Sequence, residues 1–295
     1  MKIRLWGTRG SIPSPGPSTI RYGGNTSCVE VRLSDGTLII LDAGSGIRPL
    51  GAALGACQAT LLLSHYHWDH IQGLPFFGSA YLPESEIRVV GPEFEGEGPE
   101  EYLVGQMMTP YFPAAPSQLH GIASFETVPR DVMRIGPAEV RVGRLSHPGV
   151  TFGYRIEEDG ATLVYISDNE PDVASAGEIE GIMALARDAD LLIHDCQYSE
   201  GEYVSCHRWG HSTPRQAVRI ARGSGARRLM LFHHDPGHND EQVEALAEEA
   251  CRLAGTLEVV IAREGEIHPV SRAPRRRAGA SARRLAAQAQ RLPAP

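Results

Sequence analysis

Ser64-His65-Tyr66-His67-Trp68-Asp69-His70 places three imidazoles and a carboxylate within six positions, directly behind the apolar run 59–63. Imidazole nitrogen and carboxylate oxygen suit zinc and similar first-row metals. A polar loop with incidental histidines is the bland alternative, but 12 histidines in 295 residues make that spacing improbable by chance. Such groups are also costly to bury unless something pairs with them. In extended backbone, residues i and i+2 face the same way, so His65 and His67 can converge on one ion. Asp69 and His70 follow a slight turn and can reach a second ion. A single metal takes three or four protein ligands; four in one short segment, with others elsewhere, predict two.

Ligands of this kind have to be held at the ends of buried elements. In the first third, residues 2–6, 28–33, 37–41 and 59–63 are short apolar or alternating runs that predict strands. A Gly/Pro/Ser-rich loop over 7–25 separates the first two. Residues 41–46 form a strand end and a glycine turn, where Asp42 could hydrogen-bond a ligand imidazole or serve the turn. A helical segment is expected within 71–83 and a strand at 87–90. Residues 92–122, with Pro92, Pro99, Pro110, Pro113 and Pro116, read as an irregular loop. A loop of that length in a compact domain tends to be functional, and we read it as a lid or as the contact of a homodimer.

The second half repeats the strand pattern. Residues 134–145 are strand-like, and 152–156 with 162–166 predict a hairpin around Glu158-Asp159-Gly160. Residues 189–194 form a buried strand. Ser212-Thr213-Pro214 opens a helix, with a capping residue just ahead of proline. A strand at 229–232, a helix from Asn239 or Asp240 through Leu253 and a strand at 257–262 complete the series. Strands in both halves with helices outside predict an α/β fold, a two-sheet sandwich flanked by helices, as one domain over 1–270.

Ligand types recur where these strands end: His147 after 145, Asp168 after 166, His194-Asp195, and His233-His234-Asp235 after 232. Each is weak alone, since a histidine at a strand end is more often a hydrogen-bonded or surface residue. Together with the first cluster they predict one joint site.

Composition narrows the context. No window is long and apolar enough to span a membrane, and the first residues lack the continuous apolar core of a signal peptide. Five scattered cysteines without a CxxC pair fit free thiols in a reducing cytoplasm. The net charge of -8 conceals seven arginines and no acid in residues 272–295, which leaves -15 on the rest. That acidic body is poorly suited to long nucleic acid. The basic Ala/Arg-rich tail, 271–295, reads as disordered or as a loose helix, with a nucleic-acid or membrane-surface arm as the sharper alternative.

The His-x-His-x-Asp-His run, with His147, Asp168 and His233 following in order, resembles the metallo-β-lactamase fold hydrolases over residues 1–270. The resemblance implies a four-layer αββα sandwich with a dinuclear site at one edge. It implies that His65, His67 and His147 hold one metal, Asp69, His70 and His233 the other, and that Asp168 bridges them. The family's Leu-x-Leu-x-His ending selects His233 over His234. Residues 189–195, Gly210-His211-Ser212-Thr213 and residues 229–233 resemble the ribonuclease Z group of phosphodiesterases. In that group the histidine of His-Ser-Thr and an acid at the Asp195 position assist proton transfer. This chain has Asp where the group usually has Glu, which shortens the reach. The catalytic residues so implied are Asp69, His211 and Asp195; the bland alternative leaves His211 exposed beside a helix cap. Trp6–Ser11 and Gly23–Ser27 resemble a bacterial subset of the branch.

One departure bears on substrate. The tRNA-processing enzymes carry a long arm between the positions matching His147 and Asp168, and here the two stand only 21 positions apart, with a predicted hairpin between them. The expected activity is therefore metal-assisted hydrolysis of a small phosphodiester or cyclic nucleotide, in which two divalent ions generate a hydroxide near neutral pH. Zinc is the expected metal, with manganese or iron as alternatives. The rivals are a lactone or thioester hydrolase, an RNA-processing endonuclease and a non-catalytic metal-binding sensor. A substrate panel separates the enzymes, and full metallation without turnover marks the sensor.

Overall fold

Near-continuous apolar runs are what strands buried on both faces require, and the two-residue alternation of a strand sorts them. In Leu38–Leu41, Ile39 and Leu41 enter one core while Leu38 and Ile40 enter another. The computed structural model describes residues 1–129 and 132–272. Among them, two seven-stranded sheets pack face to face around the first of these cores.

The first sheet contains β1 (Lys2–Gly7), β2 (Cys28–Arg32), β3 (Leu38–Leu41), β4 (Gln58–Leu62), β5 (Glu86–Gly91) and β6 (Ile122–Thr127) in sequential order. The second contains β7 (Val132–Ile135), β8 (Ala138–Arg144), β9 (Phe152–Glu158), β10 (Ala161–Ile166), β11 (Leu191–Asp195), β12 (Arg228–Phe232) and β13 (Glu258–Ile261), also in sequential order. The last strand, β14 (Ile267–Pro269), returns to the first sheet beside β1. Helix α1 (Ile47–Leu54) covers the outer face of the first sheet through Ile47 and Leu50. Helix α2 (Trp68–Ile71) is one turn after the histidine run, and α3 is Pro99–Gly105. Helices α4 (Ala176–Ala186), α6 (Pro214–Ser224) and α7 (Asp240–Ala254) cover the second sheet, and α5 (Glu200–Cys206) lies between α4 and α6 in the chain. The layers are the expected αββα sandwich.

Strand direction brings the ligand types together. β3, β4, β5 and β6 are parallel, as are β10, β11, β12 and β13. β8 pairs antiparallel with β9, and β9 antiparallel with β10, so β8 and β10 run the same way. The carboxyl ends of β3, β4, β8, β10, β11 and β12 therefore meet at one edge of the sandwich, where open α/β sheets place their ligands.

Several elements differ from expectation. The strand expected over 134–145 is a hairpin, broken at Gly136 (φ 53) and Pro137. The helical segment expected within 71–83 is two short 3₁₀ turns, Leu74–Phe76 and Gly78–Tyr81, and α2 ends at Ile71. The 92–122 loop contains α3, in which Pro99 takes the first helical turn with Glu100 and Glu101 beside it, where the missing N–H costs nothing and acids complement the dipole. The basic tail falls outside the described residues apart from Ser271 and Arg272.

Candidate metal centre

The site begins at the turn after β3. Asp42 adopts φ 61 and its fully buried carboxylate accepts from four donors. These are Ser64 N–H at 2.7 Å, Ser64 Oγ at 2.9 Å, Tyr165 Oη at 2.7 Å and His70 Nδ1 at 2.8 Å. Ser64 Oγ, its own proton given to Asp42, accepts His65 Nδ1 at 2.9 Å. One acceptor thus orients two imidazoles of the loop that follows β4.

Among the described residues, four overlapping sets of candidate ligand atoms lie within 4.8 Å of one another; the seven expected ligands fill two, His65, His67 and His147, and Asp69, His70, Asp168 and His233, while His211 joins His147 and Asp168 in a third and Asp195 and His233 in a fourth. In the first, His67 Nδ1 lies 3.1 Å from His147 Nε2. In the second, His70 Nε2 lies 3.3 Å from His233 Nε2, and Asp69 Oδ2 lies 3.2 and 3.0 Å from those two nitrogens. Asp168 spans the groups, with Oδ2 3.7 Å from His65 Nε2 and 3.8 Å from His147 Nε2, and Oδ1 3.2 Å from His70 Nε2. Outside the groups, Ser11 N–H donates to Asp69 Oδ2 at 2.7 Å, from the loop 7–25.

These residues fit a pair of divalent ions. Nitrogens bound tetrahedrally at 2.0–2.1 Å sit about 3.3 Å apart, close to the spacings found. His65, His70, His147 and His233 each engage Nδ1 with an acceptor: Ser64 Oγ, Asp42, the Gly210 carbonyl and Gln197 Oε1. That fixes the tautomer and leaves the Nε2 lone pair toward the cluster, as metal-binding imidazoles require. His65 Nε2 and Asp168 Oδ1 are buried and make no hydrogen bond. The His/Asp cluster is compatible with a dinuclear metal site.

The electrostatics set His65 and His147 apart from His70. Burial pushes the His65 and His147 pKa values down, His147 to about 3 despite Asp168, so both rings are neutral. Burial would raise Asp69 and Asp168, but the surrounding imidazoles hold both well below the usual carboxylate range. Burial would lower His70, and Asp168, Asp69 and Asp42 overcome it and push the ring well above the usual imidazole value.

His211 lies beside the cluster. Its Nδ1 is 2.8 Å from Asp195 Oδ2, and its ring centroid is 4.9 Å from that of His233 and 5.2 Å from that of His147. Burial would lower it, but the charge and hydrogen bond of Asp195 push it up to about 9. Asp195 is oriented by the N–H groups of Gln197 and Ser212 at 3.0 and 3.2 Å, so the shorter acid still reaches. His211 is buried, unlike the exposed cap neighbour weighed from sequence; Thr213 caps α6 without it.

The structure thus brings together all nine sequence-derived candidates: His65, His67, Asp69, His70, His147, Asp168, Asp195, His211 and His233. His234 turns away and donates to the Ala262 carbonyl at 2.9 Å. His194 is held by the Asp195 carbonyl and Asn169. Sequence reasoning missed Ser64, Tyr165 and Gln197, which orient ligand-type residues, and Glu170, which carried a legible signal as an acid just beyond a strand end.

A model of the beta-lactamase superfamily domain matches residues 38–234. The ribonuclease Z of Kineococcus radiotolerans is 30% identical over 295 aligned positions, covering 84% of this chain and 90% of that protein. Among solved structures, the metallo-β-lactamase fold protein YhfI from Bacillus subtilis superposes with a TM-score of 0.67 at 20% identity, over 90% of this chain and 98% of its own. The short form of human tRNase Z gives 0.65 at 22% identity, over 92% and 100%. At such identities the two structures speak to the fold alone.

Proposed function

This chain belongs to the metallo-β-lactamase superfamily, in its ribonuclease Z-like branch, and from that premise we propose a dinuclear metal-dependent phosphodiesterase acting on small phosphodiesters or cyclic nucleotides. The observation that carries this reading is the His211–Asp195 pair, 2.8 Å apart and stacked against the His/Asp cluster. His65, His67 and His147 would hold one ion, Asp69, His70 and His233 the other, with Asp168 between them. Zinc suits this donor set best, and manganese or iron also accept it. When bound, the ions supply positive charge that polarises a phosphoryl oxygen and acidifies water.

The chain's own residues supply orientation and a proton. Asp195 accepts the Nδ1 proton of His211, so Nε2 is the atom that delivers a proton to the leaving oxygen. A lactone or thioester hydrolase on the same fold has less use for such a donor when its leaving group is already a good one. Asp69 is held by Ser11 N–H and two imidazoles, which keeps its carboxylate ionised and fixed.

Substrate size rests on the segment between His147 and Asp168. The β9–β10 hairpin occupies it, with no room for an arm that grips a tRNA body. The relatives named ribonuclease Z favour a second reading, RNA processing. Turnover of bis-p-nitrophenyl phosphate, 2′,3′- and 3′,5′-cyclic nucleotides, a lactone and a precursor tRNA decides among these, and lactone preference overturns the reaction class. His211→Ala is expected to lower diester turnover about 100-fold or more with KM little changed. Near-normal turnover would sink the proton-transfer role.

A further inference from the structure

Glu170 stands two residues beyond Asp168, is fully buried, and takes no part in the ligand set or the proton step. A carboxylate is costly to bury without donors, and Glu170 has three, each at 2.7 Å. One oxygen accepts from Tyr203 Oη and from Arg208 N–H, the other from Gly210 N–H. All three donors lie on α5 or on the strap 207–211 that follows it.

That strap has an uncommon backbone, with φ 71 at Arg208 and φ 94 at Gly210; positive φ away from glycine needs support from its surroundings. Gly210 then turns its carbonyl to His147 Nδ1 at 2.8 Å. The approach is so close that a Cβ at position 210 would lie 2.1 Å from that nitrogen. Glu170 thus pins Gly210 from one side, since the Gly210 N–H binds the carboxylate while its C=O, in the next peptide plane, binds the imidazole.

We propose that Glu170 is a positioning residue for the His65/His67/His147 set, aiming His147 Nε2 by fixing the backbone of the strap at Arg208 and Gly210, whose carbonyl accepts from His147 Nδ1. This rests on reading that set as a metal site. A residue that merely stabilised a surface loop would weaken both halves of the cluster equally or neither. Glutamine is the discriminating change, because its amide offers one acceptor and one donor group and cannot satisfy the N–H groups of both Arg208 and Gly210.

The test is zinc titration against a competing chelator in two single-set backgrounds. With His233→Ala, which keeps the three histidines, adding Glu170→Gln is expected to weaken zinc binding about tenfold. With His67→Ala, which keeps Asp69, His70 and His233, the same addition is expected to stay within about twofold. If circular dichroism shows that Glu170→Gln does not fold, Glu170→Asp takes its place; it keeps the charge, falls short of Gly210 and carries the same expected selectivity. Equal loss in both backgrounds overturns the proposal, because Asp168 would then be what moved. Wild type binding two ions with no effect of the substitution in either background overturns this proposal alone. Wild type binding no zinc overturns the metal reading and this inference with it.

Discussion

At the scale of single residues, Asp42 concentrates the site's dependence on one acceptor. Its carboxylate takes four donors in a buried pocket, and one of them is His70 Nδ1. Asn tolerates the φ of 61 found there and matches Asp in shape, so Asp42→Asn isolates the change of acceptor to donor. A buried donor left without a partner costs about 1–3 kcal/mol, and losing the partner of a ligand imidazole costs about 10–100-fold in metal affinity. Urea unfolding should therefore show a loss of about 1–3 kcal/mol, and chelator competition a zinc affinity lower by about 10–100-fold. Unchanged zinc affinity would assign Asp42 to the turn alone. The residue was visible in the sequence as an acid at a strand end, where His147, Asp168, Asp195 and His233 were also found, because strand ends and ligand chemistry are both local signals. Gln197 and Tyr165 were not, since accepting from His233 Nδ1 or donating to Asp42 depends on partners 36 and 123 residues away.

At the scale of elements, the turn after β3 and the end of α2 touch backbone to backbone. Ala43 N–H donates to the His70 carbonyl at 2.7 Å, and Gly73 N–H to the Ala43 carbonyl at 2.9 Å. A Cβ on Gly73 would lie 2.0 Å from the Gly44 carbonyl oxygen, so α2 and the turn must separate to admit a methyl. Overpacking of this kind costs about 1–3 kcal/mol, and here it falls on the peptide after Asp69 and His70. Gly73→Ala is expected to lower the denaturation midpoint and weaken metal binding together. Gly181 in α4 is the contrasting case: exposed, helical and with nothing within 4 Å of a built Cβ. Gly181→Ala should stabilise by about 0.5–1 kcal/mol and leave zinc binding alone. Equal effects of the two changes would refute the argument from close approach. Most strands were legible because their apolar runs are long and bounded by turns. Helices α4 and α5 were passed over although their capping boxes, Ser175 with Glu178 and Ser199 with Glu202, stand in the sequence as S-x-x-E. Helix α3 was hidden by proline, which reads as a breaker until its place in the first turn is known.

At the scale of the whole molecule, two sheets contribute unequally to one edge. The first sends His65, His67, Asp69 and His70 from one loop, and the second sends His147, Asp168 and His233 from three strand ends. The convergence of that second set was legible in the recurrence of ligand types at strand ends, but not its cause, which is that β8 and β10 run the same way through an intervening antiparallel strand. The whole chain carries net charge -8, and residues 272–295 hold seven arginines and no acid, which leaves -15 on the rest. A negatively charged body repels a polyanion and penalises a single phosphodiester far less. Salt dependence turns that difference into a measurement. A substrate with a single phosphate has no condensed counterion atmosphere to release, so its kcat/KM is expected to change little between 50 and 200 mM salt, whereas a single strand loses affinity with a slope of roughly 0.7 per phosphate contact. An RNA gripped through four phosphates would lose about 50-fold over the same range. The small-diester reading expects the shallow slope for a cyclic nucleotide and weak, salt-insensitive turnover of precursor tRNA. A precursor tRNA cleaved faster than any small diester, on the steep slope, would show that the 147–168 hairpin does not limit substrate size and that RNA processing is the activity.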